Sequence, residues 1–187
     1  MHKSIIALGI ESSCDDTSIG IVKIDLKDEL FTAEGLTSEQ MGLVTESQGK
    51  LHKDYGGVVP EIAARAHSER IDVCFKEVLE QSSVELDCID IICVTAGPGL
   101  IGGLLSGINF AKGLAFSTGK PLIGVNHLIG HALTPQMTDS LSYPYLILLA
   151  SGGHCQYLAV SRVNKIERLG TTIDDAPGEV FDKVAKM

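Results

Sequence analysis

The alternation of apolar and polar positions divides the chain into a series of short elements. Ile5 to Ile10 is a continuous apolar run, and beyond the polar stretch Glu11 to Asp16 a second run, Ser18 to Ile24, is again rich in Ile and Val. Two such runs around a polar turn predict a hairpin of buried strands. Leu30 to Ser38 alternates less cleanly and is expected as a third, edge-like strand. From Met41 to Gly57 the periodicity is lost among Gly, Ser, Gln and Lys, which predicts a long surface loop. Pro60 then stands where a first helical residue belongs, beside Glu61, whose charge suits the positive end of the helix dipole. The helix is expected to reach about Gln81, with Ile62, Ala66, Ile71, Phe75, Val78 and Leu79 on its inner face.

Ile89 to Thr95 reads as another buried strand, ended by Ala96-Gly97-Pro98-Gly99. The helix expected over Leu100 to Ser117 contains Gly102, Gly103, Gly107 and Gly113. Each lowers intrinsic helix propensity by about 1 kcal/mol, a cost that points to close packing against a neighbour or a ligand. Leu122 to Val125 predicts a strand, His127 to Met137 a short helix, and Tyr145 to Ala150 an apolar strand entering Ser151-Gly152-Gly153-His154. Two strands, Gln156 to Ser161 and Lys165 to Thr171, and a helix from Gly178 complete the series. The order β-β-β-α-β-α-β fits an α/β fold with a mixed sheet: the actin-like ATPase, ribonuclease-H-like lobe found also in hexokinase and sugar kinases. Residues 1–139 are expected to form that lobe, and residues 140–187 the beginning of a second, C-terminal lobe. Because the pattern stops at Met187 inside a helix, the chain is read as the N-terminal part of a longer protein.

Composition narrows the function classes. Hydrophobic residues make up 44% and charged residues 21%, a balance that folds rather than stays disordered. Fifteen Lys and Arg against twenty-four Asp and Glu give a net charge of −9, so a nucleic-acid partner requires a local basic patch or a second protein to hold it. Five cysteines (Cys14, Cys74, Cys88, Cys93 and Cys155) form no C-x-x-C pair and read as reduced thiols. No export leader is evident, and no apolar run reaches the ~18 residues of a membrane span. The expectation is a cytoplasmic protein with no membrane association.

Three patterns carry candidate chemistry. Gly9 to Thr17 places Asp15 and Asp16 among small polar residues in a turn between buried strands. Backbone amides there can meet a phosphate and a carboxylate can hold a cation or orient water, although an Asx-rich hairpin turn has the same composition. Ala150-Ser151-Gly152-Gly153-His154 is a glycine turn between strands, able to present amides to an anion or simply to close a hairpin. It is not a nucleophile elbow, since Leu149 occupies the place where Gly-x-Ser-x-Gly needs its first glycine. His127 and His131 are four apart in an expected helix, so both imidazoles lie on one face and can share a cation. The pair lacks the glutamate of His-Glu-x-x-His, which removes the general base of a zinc peptidase. Cys14, beside two carboxylates, is a poor nucleophile.

Taken together these motifs resemble one family, the tRNA threonylcarbamoyladenosine synthesis proteins of the TsaD, Kae and Qri type, formerly described as O-sialoglycoprotein endopeptidases. The resemblance rests on Gly9 to Thr17, His52 to His67, Thr95 to Gly103, Val125 to Ala132, Leu148 to Gln156 and Asp174 to Lys183, which span nearly the whole chain in the family's order. It implies an acyltransferase that moves a threonylcarbamoyl group from threonylcarbamoyl-AMP to N6 of a tRNA adenosine. It implies one divalent metal ion, Fe2+ or Zn2+, with His127 and His131 as two ligands and an aspartate of the second lobe as a third. The adenylate would lie across Leu149, Ala150, Ser151, Gly152 and Gly153, with Asp182 near its ribose, while Asp15 or Asp16 would orient or deprotonate the attacking amine. The implied partners are tRNA, a TsaB-like protein of similar fold and a small TsaE-like ATPase, with the glycine-rich Leu100 to Phe116 helix as the candidate partner surface or, equally, a tightly packed internal helix.

Two other functions share the fold. A sugar or acetate kinase lobe has the hairpin and glycine turn but needs no histidine pair. A non-catalytic partner subunit of the same fold is expected to lack His127 and His131.

Overall fold

The computed structural model describes residues 3–26, 36–139, 141–185 and 187, and the chain divides into two compact units, Met1–His127 and Leu128–Met187. In the first, β1 (Lys3–Glu11) and β2 (Asp16–Leu26) pair antiparallel, with Leu8 opposite Ile21 and Ile10 opposite Ile19. These four side chains are buried, as the continuous apolar runs require of strands near a sheet centre.

Strand β3 (Leu36–Ser47) adds antiparallel to β2 at the sheet edge. Met41 to Ser47 is therefore strand, where the sequence predicts loop. Gln40 pairs with Val22 and Gly42 with Ile21, so Met41 is an extra residue that interrupts the alternation. Gly42, which reads as loop punctuation, serves contact with a helix: a Cβ there would lie 3.2 Å from side-chain atoms of Val78 and Ser82. Of the expected third strand, residues 30–35 lie outside the described residues, and 36–38 open β3. Beyond β3 the expected loop is compact, with α1 (Gly49–His52) and a 3-10 turn at Lys53–Tyr55.

Helix α2 (Pro60–Ser82) agrees with expectation, and its buried face adds Ala63, His67 and Cys74 to the apolar stripe. Strand β4 (Ile91–Gly97) runs parallel to β1, α3 (Ile101–Thr118) follows, and β5 (Leu122–Asn126) runs parallel to β4. The sheet order is β3-β2-β1-β4-β5. Helix α2 packs on β2 and β3, α3 packs on β1 and β4, and the two helices touch. Between them lies a core of Leu8, Ile19, Ile21, Ile71, Val78 and Ile92 with their neighbours.

The expected helix over His127 to Met137 is two pieces, α4 (His127–Leu133) and α5 (Pro135–Thr138). Pro135 has no N–H to continue the ladder, and its ring would collide with the preceding turn. In the second unit β6 (Tyr145–Ala150), β7 (Cys155–Arg162) and β8 (Lys165–Thr171) form an antiparallel meander, followed by α6 (Pro177–Ala185). A small core of Ala132, Leu149, Leu158 and Val160 holds this unit. The boundary expected at 139/140 falls between α5 and β6, whereas the two compact units divide between His127 and Leu128, at the start of α4.

Candidate active site

Parallel strands β1, β4 and β5 end on the same side of the sheet, so the residues just past their C-termini gather there. Glu11, the last residue of β1, organises them. Its Oε1 accepts the Ser13 N–H at 2.5 Å, while its Oε2 accepts the Thr95 hydroxyl of β4 at 2.5 Å and lies 3.1 Å from His127 Nδ1 at the end of β5. The Ser13 hydroxyl also lies 3.1 Å from that nitrogen. Burial opposes ionisation of Glu11, but the hydrogen bonds from His127, Ser13 and Thr95 outweigh it and hold the carboxyl down at about 2. A fixed anion therefore faces His127.

The glycines of the Gly97–Gly107 region explain how the turn after β1 sits so close to α3. The Ser12 hydroxyl donates to the Gly103 carbonyl at 2.9 Å, and the Leu100 N–H donates to the Ser13 carbonyl at 2.7 Å. A Cβ at Gly99 would stand 2.6 Å from Ser13 Cβ, and one at Gly103 or Gly107 would collide with Ser12. Gly102 touches Ala64 of α2, whereas Gly113 has open space around it. Most of the helix-propensity cost is thus explained by internal packing.

Asp15 is half-buried, and its carbonyl accepts the Gln48 N–H at 3.0 Å. Asp16 is exposed as the first residue of β2, opposite Ser47. Beneath them His67 of α2 is fully buried, with Nδ1 2.8 Å from the Thr17 hydroxyl and 3.3 Å from the Gln48 side-chain amide, and Nε2 3.1 Å from the Cys14 carbonyl. The Cys14 thiol is pushed up to about 11, by partial burial first and then by Asp15, which agrees with its reading as a poor nucleophile.

His127 opens α4 and His131 follows one turn later on the same helix, so the two project from one helix face. Among the described residues no group of three or more His, Cys, Asp or Glu side chains is gathered for a metal. In the second unit the glycine turn is closed by its own bonds, the Ser151 N–H and hydroxyl both donating to the His154 carbonyl at 2.7 and 3.1 Å. Leu149 is buried in that unit's core, whereas Ala150, Gly152 and Gly153 are exposed and Ser151 is half-buried. The turn meets the start of α6 so closely that a Cβ on Gly178 would stand 2.6 Å from Gly152 Cα. Asp182 lies on α6, and its side chain is outside the described residues.

The fold thus brings Asp15, Asp16 and His127 to one unit, and the glycine turn to the helix bearing Asp182 in the other. Glu11, Thr95 and His67 lie inside the motifs quoted for the resemblance but received no site role there, and Gln48 lies outside them. Glu11 carried one signal, a carboxylate directly at the end of a buried apolar run.

A family model described as TsaD, tRNA N6-adenosine threonylcarbamoyltransferase, matches residues 40–187. A protein of Ruegeria pomeroyi named tRNA N6-adenosine threonylcarbamoyltransferase is 54% identical over 187 residues, 100% of this chain and 49% of that protein. One of the same name from Cereibacter sphaeroides is 56% identical over the same coverage. The chain spans about half the length of the curated relatives it matches. Among solved structures, YeaZ from Pseudomonas aeruginosa is similar with a TM-score of 0.55 at 16% identity, covering 89% of this chain and 64% of that one. That likeness concerns the fold, the actin-like, ribonuclease-H-like lobe expected from the order of elements.

Proposed function

Because the chain belongs to the TsaD family of tRNA N6-adenosine threonylcarbamoyltransferases, we propose that it is the N-terminal part of an enzyme transferring a threonylcarbamoyl group from threonylcarbamoyl-AMP to N6 of a tRNA adenosine. Residues 140–187 open the second lobe of that enzyme in this reading. The observation that carries it is the histidine pair of α4, whose first member is faced by a carboxylate.

The donor set fits a divalent transition metal. Glu11 accepts from His127 Nδ1, which places the ring proton on that nitrogen and leaves Nε2 in its ligating form, the arrangement metal-binding histidines commonly show. His127 and His131 would hold Fe2+ or Zn2+ together with ligands from the rest of the protein. Such an ion supplies Lewis-acid polarisation of the carbamoyl carbonyl.

The chain's own residues perform the remaining work. The turn Ala150 to Gly153 receives the adenylate, with Ser151 closing the turn, the amides of the exposed Gly152 and Gly153 toward the phosphate and Asp182 toward the ribose. The adenine amine forms the new C–N bond to the carbamoyl carbon, the C–O bond to phosphate breaks, and AMP leaves with the electron pair. Asp15 or Asp16 takes the proton released from the amine. With a net charge of −9, the chain depends on a complex to hold tRNA, in which a TsaB-like protein of similar fold packs on α3 and a TsaE-like ATPase assists. Its compartment is the cytoplasm.

The test is nucleoside analysis of tRNA incubated with the full-length protein, its partners and threonylcarbamoyl-AMP. Modified adenosine should appear with the wild type and be lost in His127→Ala and His131→Ala. Undiminished product from both variants would refute the assignment.

A further inference from the structure

Around the Asp15–Asp16 turn lies a chain of buried polar side chains that the proposed transfer reaction does not use. His52 is buried, and its Nδ1 accepts the Val59 N–H at 3.2 Å. That bond places the proton of this ring on Nε2, 3.2 Å from the Gln48 side-chain oxygen. With its oxygen turned to His52, Gln48 directs its NH2 group toward His67 Nδ1 at 3.3 Å and the Ala63 carbonyl at 3.5 Å. His67 Nδ1 therefore accepts, from Gln48 and from the Thr17 hydroxyl at 2.8 Å, and its Nε2–H donates to the Cys14 carbonyl at 3.1 Å. One backbone N–H at Val59 thus fixes the direction of every bond as far as the turn.

The chain ends where carboxylate placement is decided. The Cys14 carbonyl, the Asp15 carbonyl and the Thr17 hydroxyl, on both sides of Asp16, are held by His67 and Gln48. The His67 ring is confined as well, since the α3 backbone passes so close that a Cβ on Gly103 would lie 3.1 Å from its Cδ2. Buried networks in which each member has its partners fix one arrangement, because any rotation strands a polar group away from water.

We infer that His52, Gln48, His67 and Thr17 form a positioning relay that sets the main chain under Asp15 and Asp16 and couples it to the 48–59 segment. The inference rests on the proposed role of those carboxylates. Breaking the relay lowers the rate of transfer more than it weakens substrate binding, since a misplaced base costs catalysis first.

Three variants of the full-length protein test it: Thr17→Val, nearly isosteric but without a hydroxyl; Thr17→Ser, which keeps it; and Gln48→Glu, which presents oxygen to His67 Nδ1 in place of NH2. Imidazole 15N NMR should show His67 protonated on Nε2 in the wild type and on Nδ1 in Gln48→Glu. Thr17→Val and Gln48→Glu should lower kcat about tenfold or more with KM within about twofold, speed amide exchange at residues 14–17, and be rescued by Thr17→Ser in the first case. Wild-type kcat and exchange in Thr17→Val, or a wild-type His67 protonated on Nδ1, overturns the relay. Absence of transfer by the wild type overturns the proposed function instead, and the NMR and exchange results still decide the relay.

Discussion

Glu11 and His127, 116 residues apart in sequence, face each other at 3.1 Å across the ends of β1 and β5. The carboxylate is itself pinned by Ser13 and Thr95, so the imidazole is oriented by a group that cannot readily turn away.

Glu11→Gln in the full-length protein should weaken metal binding at the site proposed for His127 and His131 by about 10- to 100-fold, the usual cost of losing a carboxylate behind a ligating histidine. Competition with a chelator of known affinity measures this without reference to catalysis. Equal affinity in wild type and variant would remove Glu11 from the site.

Gly103→Ala should destabilise the fold by about 1 to 3 kcal/mol, because the new Cβ meets the Ser12 carbonyl. Gly113→Ala, with open space around it, should gain up to about 1 kcal/mol from helix propensity. Urea unfolding of both variants gives the comparison, and similar shifts would contradict the close packing of Gly103 on Ser12.

Cys14 should alkylate slowly at pH 8 despite its exposed position. Raising the thiol from 9.0 to about 11 makes the thiolate about a hundredfold scarcer at that pH, and the rate should climb about tenfold per pH unit until it levels near 11. Iodoacetamide labelling followed by peptide mass analysis reads the profile, and levelling near pH 9 would contradict it.

On α3, Ile101, Leu105 and Phe116 are 77%, 51% and 92% exposed and recur at helical spacing. Phe116→Glu should leave unfolding unchanged and abolish association with the proposed TsaB-like partner, measured by light scattering of the mixture. Retained association would move the partner surface elsewhere.

Much of the fold was legible because strands β1, β2, β4 and β6 are apolar runs and α2 starts at a proline. The edge strand β3 was not, since its outer face is polar and Met41 interrupts its alternation. His127 and His131 stood out by spacing within one helix. Thr95 and His67 stand inside quoted motifs and Gln48 outside them, yet none of the three shows its role locally, because each acquires it from a partner many residues away.

Sequence by itself determined the order of elements, the family resemblance and the face shared by the two histidines, all properties of residues close together along the chain. Tertiary structure decided which carboxylate meets His127, why α3 carries glycines beneath Ser12 and Ser13, and how His67 reaches the Cys14 carbonyl. Those are distances between segments that only the pairing of β1 with β4, and the contact of α2 with α3, bring within hydrogen-bond reach.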